Sequence, residues 1–213
     1  LPAPSAINFC SFLFGYYGFG DFFNGPLRSR LPELQNDGES FIRFSALLFE
    51  SVSLTLRQQE KIFSHARISL RSFQENNYTF PAVFIFLIYL NKFNSTLYEK
   101  IRKRQLTLQE FVNEVELILS SFKSEELLPF VLYTDALLIF LYSNYYSDLF
   151  RESQLYSVNP VNAKGKVNFT SSLDQSEGCV DLVRRFDAFE RTNVYNVKID
   201  YLLNKIDLLD NLI

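Results

Sequence analysis

Tryptophan and methionine are absent from this chain of 213 residues, which also has only one histidine and two cysteines. His65 alone can form neither a metal cluster nor a catalytic relay. Cys10 and Cys179 lie far apart and outside any metal or redox motif, so each is expected to be a buried thiol. The alternative is a disulfide, which requires an oxidising compartment for which the sequence gives no other sign.

Catalytic motifs are missing as well. A Walker A loop requires G-x-x-x-x-G-K-S/T, in which backbone amides hold phosphates while the Lys and the hydroxyl reach phosphate and magnesium. The Gly165-Lys166 pair is followed by Val167 and has no upstream glycine at that spacing. The G-x-S-x-G, H-E-x-x-H and C-x-x-C patterns do not occur, and no carboxylate pair has a spacing typical of general acid and base. The chain by itself is therefore expected not to be an enzyme and to hold no metal or cofactor.

The missing methionine, together with the start at Leu1-Pro2, predicts that the chain is not a complete gene product, either because it is trimmed or because further residues belong to it. Residues 1–14 are apolar but have no basic n-region and no small-residue cleavage site, so no signal peptide is expected. The predicted compartment is the cytoplasm.

A large excess of charge is lacking too, because the formal net charge is -3. Such a value gives no reason to expect binding to nucleic acid. The basic run Lys100, Arg102, Lys103 and Arg104 could bind phosphate. The alternative is a solvated helix end, where cations suit the helix dipole.

Apolar residues at helical spacing are abundant. The chain is 47% hydrophobic and 21% charged, which are values of a globular protein with a sizeable core, and its aromatic content of 16% is high. Capping boxes, in which Thr or Ser is followed three residues later by Glu or Gln, predict several helix starts. They occur at Thr55, Thr96 and Thr107, and Ser124-Glu125-Glu126 is expected to cap a further helix.

Residues 55–89 carry the densest helical signal. Two buried helices are expected there, separated by a turn at Glu75-Asn76-Asn77, with Pro81 as the first residue of the second helix. That second helix, PAVFIFLIYLNKF, is apolar on all sides, which is typical of a helix at the centre of a domain. It is shorter than the ~20 apolar residues that span a bilayer.

The segment 127–146 is also apolar, but it contains Pro129 and Asp135. An unpaired carboxylate at bilayer depth costs about 2.5–3.5 kcal/mol on insertion scales. A buried core helix is therefore expected. The alternative is a membrane-associated protein held by this segment.

The amino-acid composition changes in the last part of the chain. Residues 151–177 are polar and predict a long loop with a short strand at 166–169. Helices are expected at 178–191 and 193–211. The apolar stripe of the last helix is expected to pack on the core, because its repeat is too short for a dimeric coiled coil.

The predicted fold is all-α. It consists of a bundle-like helical core at 1–150, the polar loop 151–177, and a small C-terminal helical appendage at 178–213 that packs on the core.

Three stretches within residues 1–122 resemble a known family: LPAPS, NDGESFIRFSALLFESVSLTLRQQEKIF and LRSFQENNYTFPAVFIFLIYLNKFNSTLYEKI. They look like the region that follows the nucleotide-binding core of KAP-type P-loop NTPases. That region opens with a signature resembling (T/S)-x-R-x-(I/V)-x-(K/R). Thr55, Arg57 and Lys61 match it, whereas Gln59 stands where an aliphatic residue is usual and Leu56 replaces the more usual Pro.

The resemblance implies that the Walker A and Walker B elements lie upstream of Leu1, so ATP and Mg are expected only for a longer parent protein. This chain would be its non-catalytic lid or regulatory region, with the upstream NTPase core as partner. Arg57 is the candidate nucleotide-sensing residue, and Arg67 and Arg71 are further candidates, because a guanidinium stays charged and binds phosphate oxygens in a fork. The alternative is that Arg57 is only a surface residue of a first helical turn.

A second hypothesis involves no nucleotide. The chain would then be a helical module that binds another protein, or itself as a homo-oligomer, through its Phe-rich faces and the stripe at 194–211.

Overall fold

The computed structural model describes residues 5–122, 128–150, 155–158 and 165–209. Helices dominate this part of the chain, and the all-α prediction is confirmed. The α-helices are α1 (Ala6–Tyr16), α2 (Gly20–Phe23), α3 (Asp37–Ser51), α4 (Leu56–Leu70), α5 (Pro81–Phe93), α6 (Ser95–Arg102), α7 (Leu108–Leu119), α8 (Leu128–Phe150), α9 (Val180–Glu190) and α10 (Asp200–Ile206). Short 3-10 helices lie at Arg28–Arg30, Pro32–Leu34 and Asp207–Leu209. The strands β1 (Tyr156–Val158) and β2 (Gly165–Val167) pair antiparallel.

The chain folds into two compact units. Unit 1 consists of Leu1–Tyr98 together with Leu202–Ile213, and unit 2 consists of Glu99–Tyr201. In chain order, unit 2 is therefore inserted between two segments of unit 1. The division into a core, a loop and an appendage at residues 150 and 177 stays a prediction that is based on amino-acid composition.

Phenylalanines form the centre of unit 1. The ring of Phe41 on α3 lies 4.8 Å from that of Phe19 and 5.3 Å from that of Phe63 on α4, measured between centroids. All three side chains are fully buried. Since a fully buried Phe contributes about 1.5–3 kcal/mol, this cluster is a large part of what holds the start of α2, α3 and α4 together.

Helix α5 is the central helix predicted from its all-round apolar sequence. Every residue from Pro81 to Ile88 is buried. Pro81 occupies the first helical position, as expected. The preceding residue, Phe80, has a left-handed backbone with φ 46°, which turns the chain sharply from the 74–78 turn into the helix.

Two of the predicted capping boxes are confirmed and one is wrong. Thr55 and Thr107 each accept a hydrogen bond from the backbone N–H three residues on, and the side chains of Gln58 and Glu110 bond back. The Thr96 box does not form, because α6 already begins at Ser95 and Asn94 Oδ1 accepts from the N–H of Leu97 at 3.3 Å. The predicted cap at Ser124-Glu125-Glu126 lies outside the described residues.

Unit 2 is built around α8. Tyr142 on α8 stacks on Phe111 of α7 with centroids 4.0 Å apart, and its hydroxyl donates to the Leu106 carbonyl at 2.7 Å. On another side, Phe140 packs against Phe186 and Phe189 of α9. The predicted short strand is present as β2, although it ends at Val167.

The helix predicted at 193–211 is shorter than expected. Only α10 and the adjoining 3-10 turn are helical within the described residues of that range. The backbone before them bonds to α8 instead: Asn144 donates to the carbonyls of Tyr195 and Val197, and the Ile199 N–H donates to the Leu141 carbonyl. Because the Ile199 N–H is bonded to α8, it cannot also donate to a helical ladder of its own segment.

Residues 128–146 of the apolar segment lie within α8, and residue 127 is outside the described residues. The residues from Thr134 to Tyr142 are all buried in the fold, which agrees with the core-helix interpretation. Among the described residues, no helix combines the length and the apolar character that crossing a membrane requires.

Candidate functional site

The first turn of α4 carries the principal sequence candidate, Arg57. Its position is fixed by the capping box, in which Gln58 Oε1 accepts from the Thr55 N–H at 2.8 Å and Thr55 Oγ1 accepts from the Gln58 N–H at 3.4 Å. The Arg57 side chain is exposed. No ion pair joins it to another of the residues that the structure describes.

The other two arginine candidates lie at the far end of the same helix. With a rise of about 1.5 Å per residue, Arg71 is roughly 21 Å along the helix axis from Arg57. Arg71 is exposed, whereas Arg67 is half-buried and its Nη2 lies 4.0 Å from the position that a Cβ on Gly18 would occupy. The three side chains are therefore spread along α4 and do not converge on one point.

A cleft of about 400 Å³ lies beside the amino end of α4, within unit 1. Its walls come from the start of α1, the end of α3 and the first turn of α4. The residues that line it are Ser5, Ala6, Phe49, Glu50, Ser53, Leu54, Thr55, Leu56 and Gln59.

Gln59 is the least satisfied polar residue of the cleft. Its side chain is 5% exposed, and Nε2 donates to the Leu54 carbonyl at 2.9 Å, which fixes the orientation of the amide. Oε1 is buried and accepts no hydrogen bond within the described part of the chain. Leaving such an acceptor unpaired costs about 1–3 kcal/mol. An unpaired buried acceptor at the edge of an open cleft is a typical mark of a binding site.

The turn between α3 and α4 adds backbone strain at the same place. Ser53 has φ 53°, a left-handed conformation that a residue with a Cβ adopts at a cost of order 1–3 kcal/mol. The turn is closed by backbone bonds from the N–H groups of Ser53 and Leu54 to the carbonyls of Glu50 and Phe49. These two bonds are the Schellman pattern that ends many helices, in which the residue after the C-cap is left-handed, so the turn has a structural role.

Glu50 supplies the charge of the cleft. It is exposed at the carboxyl end of α3, and it is the one charged side chain among the residues that line the cleft. Burial raises the pKa of the Cys10 thiol, and the nearby Glu50 carboxylate adds a smaller rise, so that this pKa is about 12. Cys10 is therefore a protonated core residue at neutral pH, which excludes it as a thiolate nucleophile.

A buried guanidinium, Arg28, was missed by the sequence reasoning. It is 0% exposed, donates to the carbonyls of Glu75 and Asn77 at 3.1 and 2.8 Å, and pairs with the carboxylate of Asp37. Thr79 also donates to Asp37 at 2.8 Å. Burial raises the pKa of Asp37, and the Thr79 hydroxyl and the Arg28 guanidinium offset part of that rise. This arrangement joins the 74–78 turn to the start of α3 and has a structural role.

Unit 2 contains a group of buried carboxylates that the sequence reasoning also missed. Glu116 on α7 accepts from Ser171 Oγ at 2.5 Å and from the N–H and Oγ of Ser172 at 2.5 and 2.6 Å. Asp174 accepts from the N–H of Leu182 at 2.9 Å. These bonds hold the polar loop 170–176 on α7 and at the start of α9.

Asp135 on α8 is the third carboxylate and is 0% exposed. Both of its oxygens lack a hydrogen-bond partner among the described residues. Burial raises its pKa well above the ordinary value, and the charges of Glu116 and Asp174 add to the rise. No group of His, Cys, Asp or Glu within the described ranges has a geometry that could hold a metal ion.

The basic run at the end of α6 is engaged by nearby side chains. Glu99 pairs with Arg102 at 3.2 Å and with Lys103 at 3.0 Å, and the Arg104 guanidinium lies 3.7 Å from the centroid of the Tyr145 ring. These contacts agree with the interpretation as a solvated helix end.

Comparisons with known proteins return no relative: no protein-family model, no curated protein and no solved structure matches the chain. The resemblance to KAP-type P-loop NTPases therefore rests on the residues quoted for it.

Proposed function

We propose that this chain is the helical lid or regulatory region of a KAP-like P-loop NTPase, in which Arg57 reaches towards a nucleotide bound by an upstream core. The observation that carries the proposal is the position of Arg57. It is exposed in a first turn that a capping box holds in place, and no ion pair engages it among the described residues.

The chemistry fits a sensing role. A guanidinium remains charged at neutral pH and can bind two phosphate oxygens at once. An arginine that stabilises the transition state of phosphoryl transfer accelerates the reaction by about 10³–10⁵-fold. The chain has no Walker A motif, so ATP and Mg would be held by the upstream core and this region would not hydrolyse ATP by itself.

The test uses the full-length protein that contains this chain. Its coding sequence is expected to encode a Walker A motif upstream of Leu1, and Arg57→Ala is expected to lower the kcat of ATP hydrolysis by at least about tenfold. Arg30→Ala, an equally exposed arginine elsewhere on unit 1, is the matched control and should leave kcat unchanged. An upstream sequence without a P-loop, or hydrolysis of MgATP by residues 1–213 alone, would refute the proposal.

A second candidate function is a helical module for protein association. Its support is the outer face of α1, where the rings of Phe9, Phe12 and Tyr16 stack in a row with centroids 6.1 and 5.9 Å apart. Phe12 is 59% and Tyr16 is 69% exposed, and α1 contains no charged residue. Aromatic residues are enriched where proteins associate.

Sedimentation velocity tests this second function. Self-association that rises with concentration and is abolished by Phe12→Ser with Tyr16→Ser would support it. A strict monomer at high concentration would count against assembly with itself.

The proposed compartment is the cytoplasm. Its support is that Cys10 and Cys179 are both free thiols in the structure, as is usual for proteins of reducing compartments.

A further inference from the structure

The cleft beside the amino end of α4 combines an unpaired buried acceptor, an exposed carboxylate and apolar walls. We propose that it binds the ammonium group of an organic amine whose apolar part packs against Ala6, Phe49 and Leu56. This inference goes beyond the nucleotide-related function and does not depend on it.

Charge complementarity selects a cation. Glu50 is the one charged side chain that lines the cleft, and neither an ion pair nor a hydrogen bond engages its carboxylate among the described residues. It lies in the last turn of α3, where the helix dipole also favours a positive group. Arg57 does not line the cleft.

The orphaned oxygen of Gln59 selects a hydrogen-bond donor. Because Nε2 is committed to the Leu54 carbonyl, Oε1 can only accept, and it lacks a donor in the described part of the chain. An ammonium group has three N–H donors, so it can bond Oε1 and the Glu50 carboxylate together. Oε1 has no contact with solvent, so the ligand reaches it only when the side chains that cover it move aside.

The walls and the size of the cleft select the rest of the ligand. Ala6, Phe49, Leu54 and Leu56 contribute apolar side chains, and the volume of about 400 Å³ lies in the range of small-molecule sites. A short alkyl or aromatic chain that carries a primary amine fits this description. An anion such as a carboxylate would meet Glu50 and an acceptor, and should be rejected.

The test is an NMR titration of the ¹⁵N-labelled chain with n-hexylammonium, with n-hexanol and hexanoate as the uncharged and anionic analogues. We expect saturable shifts of the amides between Phe49 and Gln59 with hexylammonium. Since a hydrogen bond to a charged group adds substantially to affinity, hexanol should bind about tenfold or more weakly. Hexanoate should cause no saturable change at the cleft.

Variants separate the proposed contacts. Glu50→Gln, a surface change, should weaken hexylammonium binding by about tenfold, and Gln59→Leu should weaken it as well. Glu177→Gln, an exposed carboxylate in unit 2, is the control and should have no effect. Equal binding of hexanol and hexylammonium, an unchanged Kd in Glu50→Gln, or no saturable shift would overturn the proposal. Arg57→Ala should not weaken amine binding, so the amine site and the nucleotide-related role can fail separately.

Discussion

Replacing Asp135 by Asn isolates the energetic effect of one buried ionisable group. The carboxylate is 0% exposed and has no hydrogen-bond partner among the described residues, and the charged groups that act on it are Glu116 from α7 and Asp174 from the loop before α9. Asn has nearly the same shape and is polar, but it cannot ionise. The difference in stability between the two proteins therefore reports the cost of keeping Asp135 protonated.

The sign and size of that difference follow from the direction of the pKa shift. Because burial raises the folded-state pKa of Asp135, the native protein binds a proton that the unfolded chain releases. The contribution of Asp135 to stability is fully present below the unfolded pKa of about 3.9 and is lost as the pH rises through the folded pKa. The loss over that interval is about 1.4 kcal/mol for each pH unit.

Urea unfolding followed by circular dichroism, repeated over a series of pH values, measures this effect. Asp135→Asn should be more stable than the wild type at neutral pH, and below the folded-state pKa of Asp135 this gap should narrow by about 1.4 kcal/mol per pH unit until about pH 4. Asp181→Asn removes an exposed carboxylate paired with Arg184 at 3.4 Å and is the control, with no such pH-dependent gap. A gap that stays constant with pH, or a less stable Asn variant at neutral pH, would refute the reasoning.

Three further predictions concern packing and capping, and thermal or urea unfolding measures each. Arg28→Ala should lower the free energy of unfolding by about 3–5 kcal/mol, because it leaves Asp37 as an unpaired charge in a largely buried place; a loss below about 1 kcal/mol would contradict the assigned role. Gly25→Ala should be destabilising because its Cβ would displace the Glu75 side chain, whose Oε1 accepts from the Leu27 N–H at 2.7 Å, and the same substitution should cost less when Glu75 is already Ala; an equal cost in the two backgrounds would refute the clash. Thr107→Ala should cost about 1 kcal/mol through loss of the α7 cap, and Thr107→Ser should restore it.

The features that local sequence determines were predictable. The boxes at Thr55 and Thr107, the proline start of α5 and its burial depend on residues within one or two turns, and the structure contains all of them. The Thr96 box was wrong for an equally local reason, since Asn94 two residues earlier is itself a strong cap.

The features that depend on distant partners were not predictable. Arg28 looked like part of a connector, and nothing in its neighbourhood indicated the carbonyls of Glu75 and Asn77 that it binds. Asp135 was identified as costly in a membrane, but the closeness of Glu116 and Asp174 appears only in the fold. At the candidate site, Arg57 came from a resemblance, whereas the unpaired oxygen of Gln59 could be found only from hydrogen-bond geometry.

The insertion of unit 2 into unit 1 has a consequence for the order in which the protein can fold. Residues of the last segment complete unit 1: His65 Nε2 lies 3.2 Å from the Ile206 carbonyl, Lys205 donates to the Ser72 carbonyl at 2.7 Å, and Tyr98 donates to Asp207 at 2.6 Å. During synthesis, α1 to α5 leave the ribosome long before these partners exist. Unit 2 can close as soon as its own residues have emerged, whereas unit 1 must wait for residues 202–209 with part of its apolar surface uncovered. A stop codon just before Leu202 should therefore prevent unit 1 from folding completely, although most of unit 1 is synthesised before unit 2.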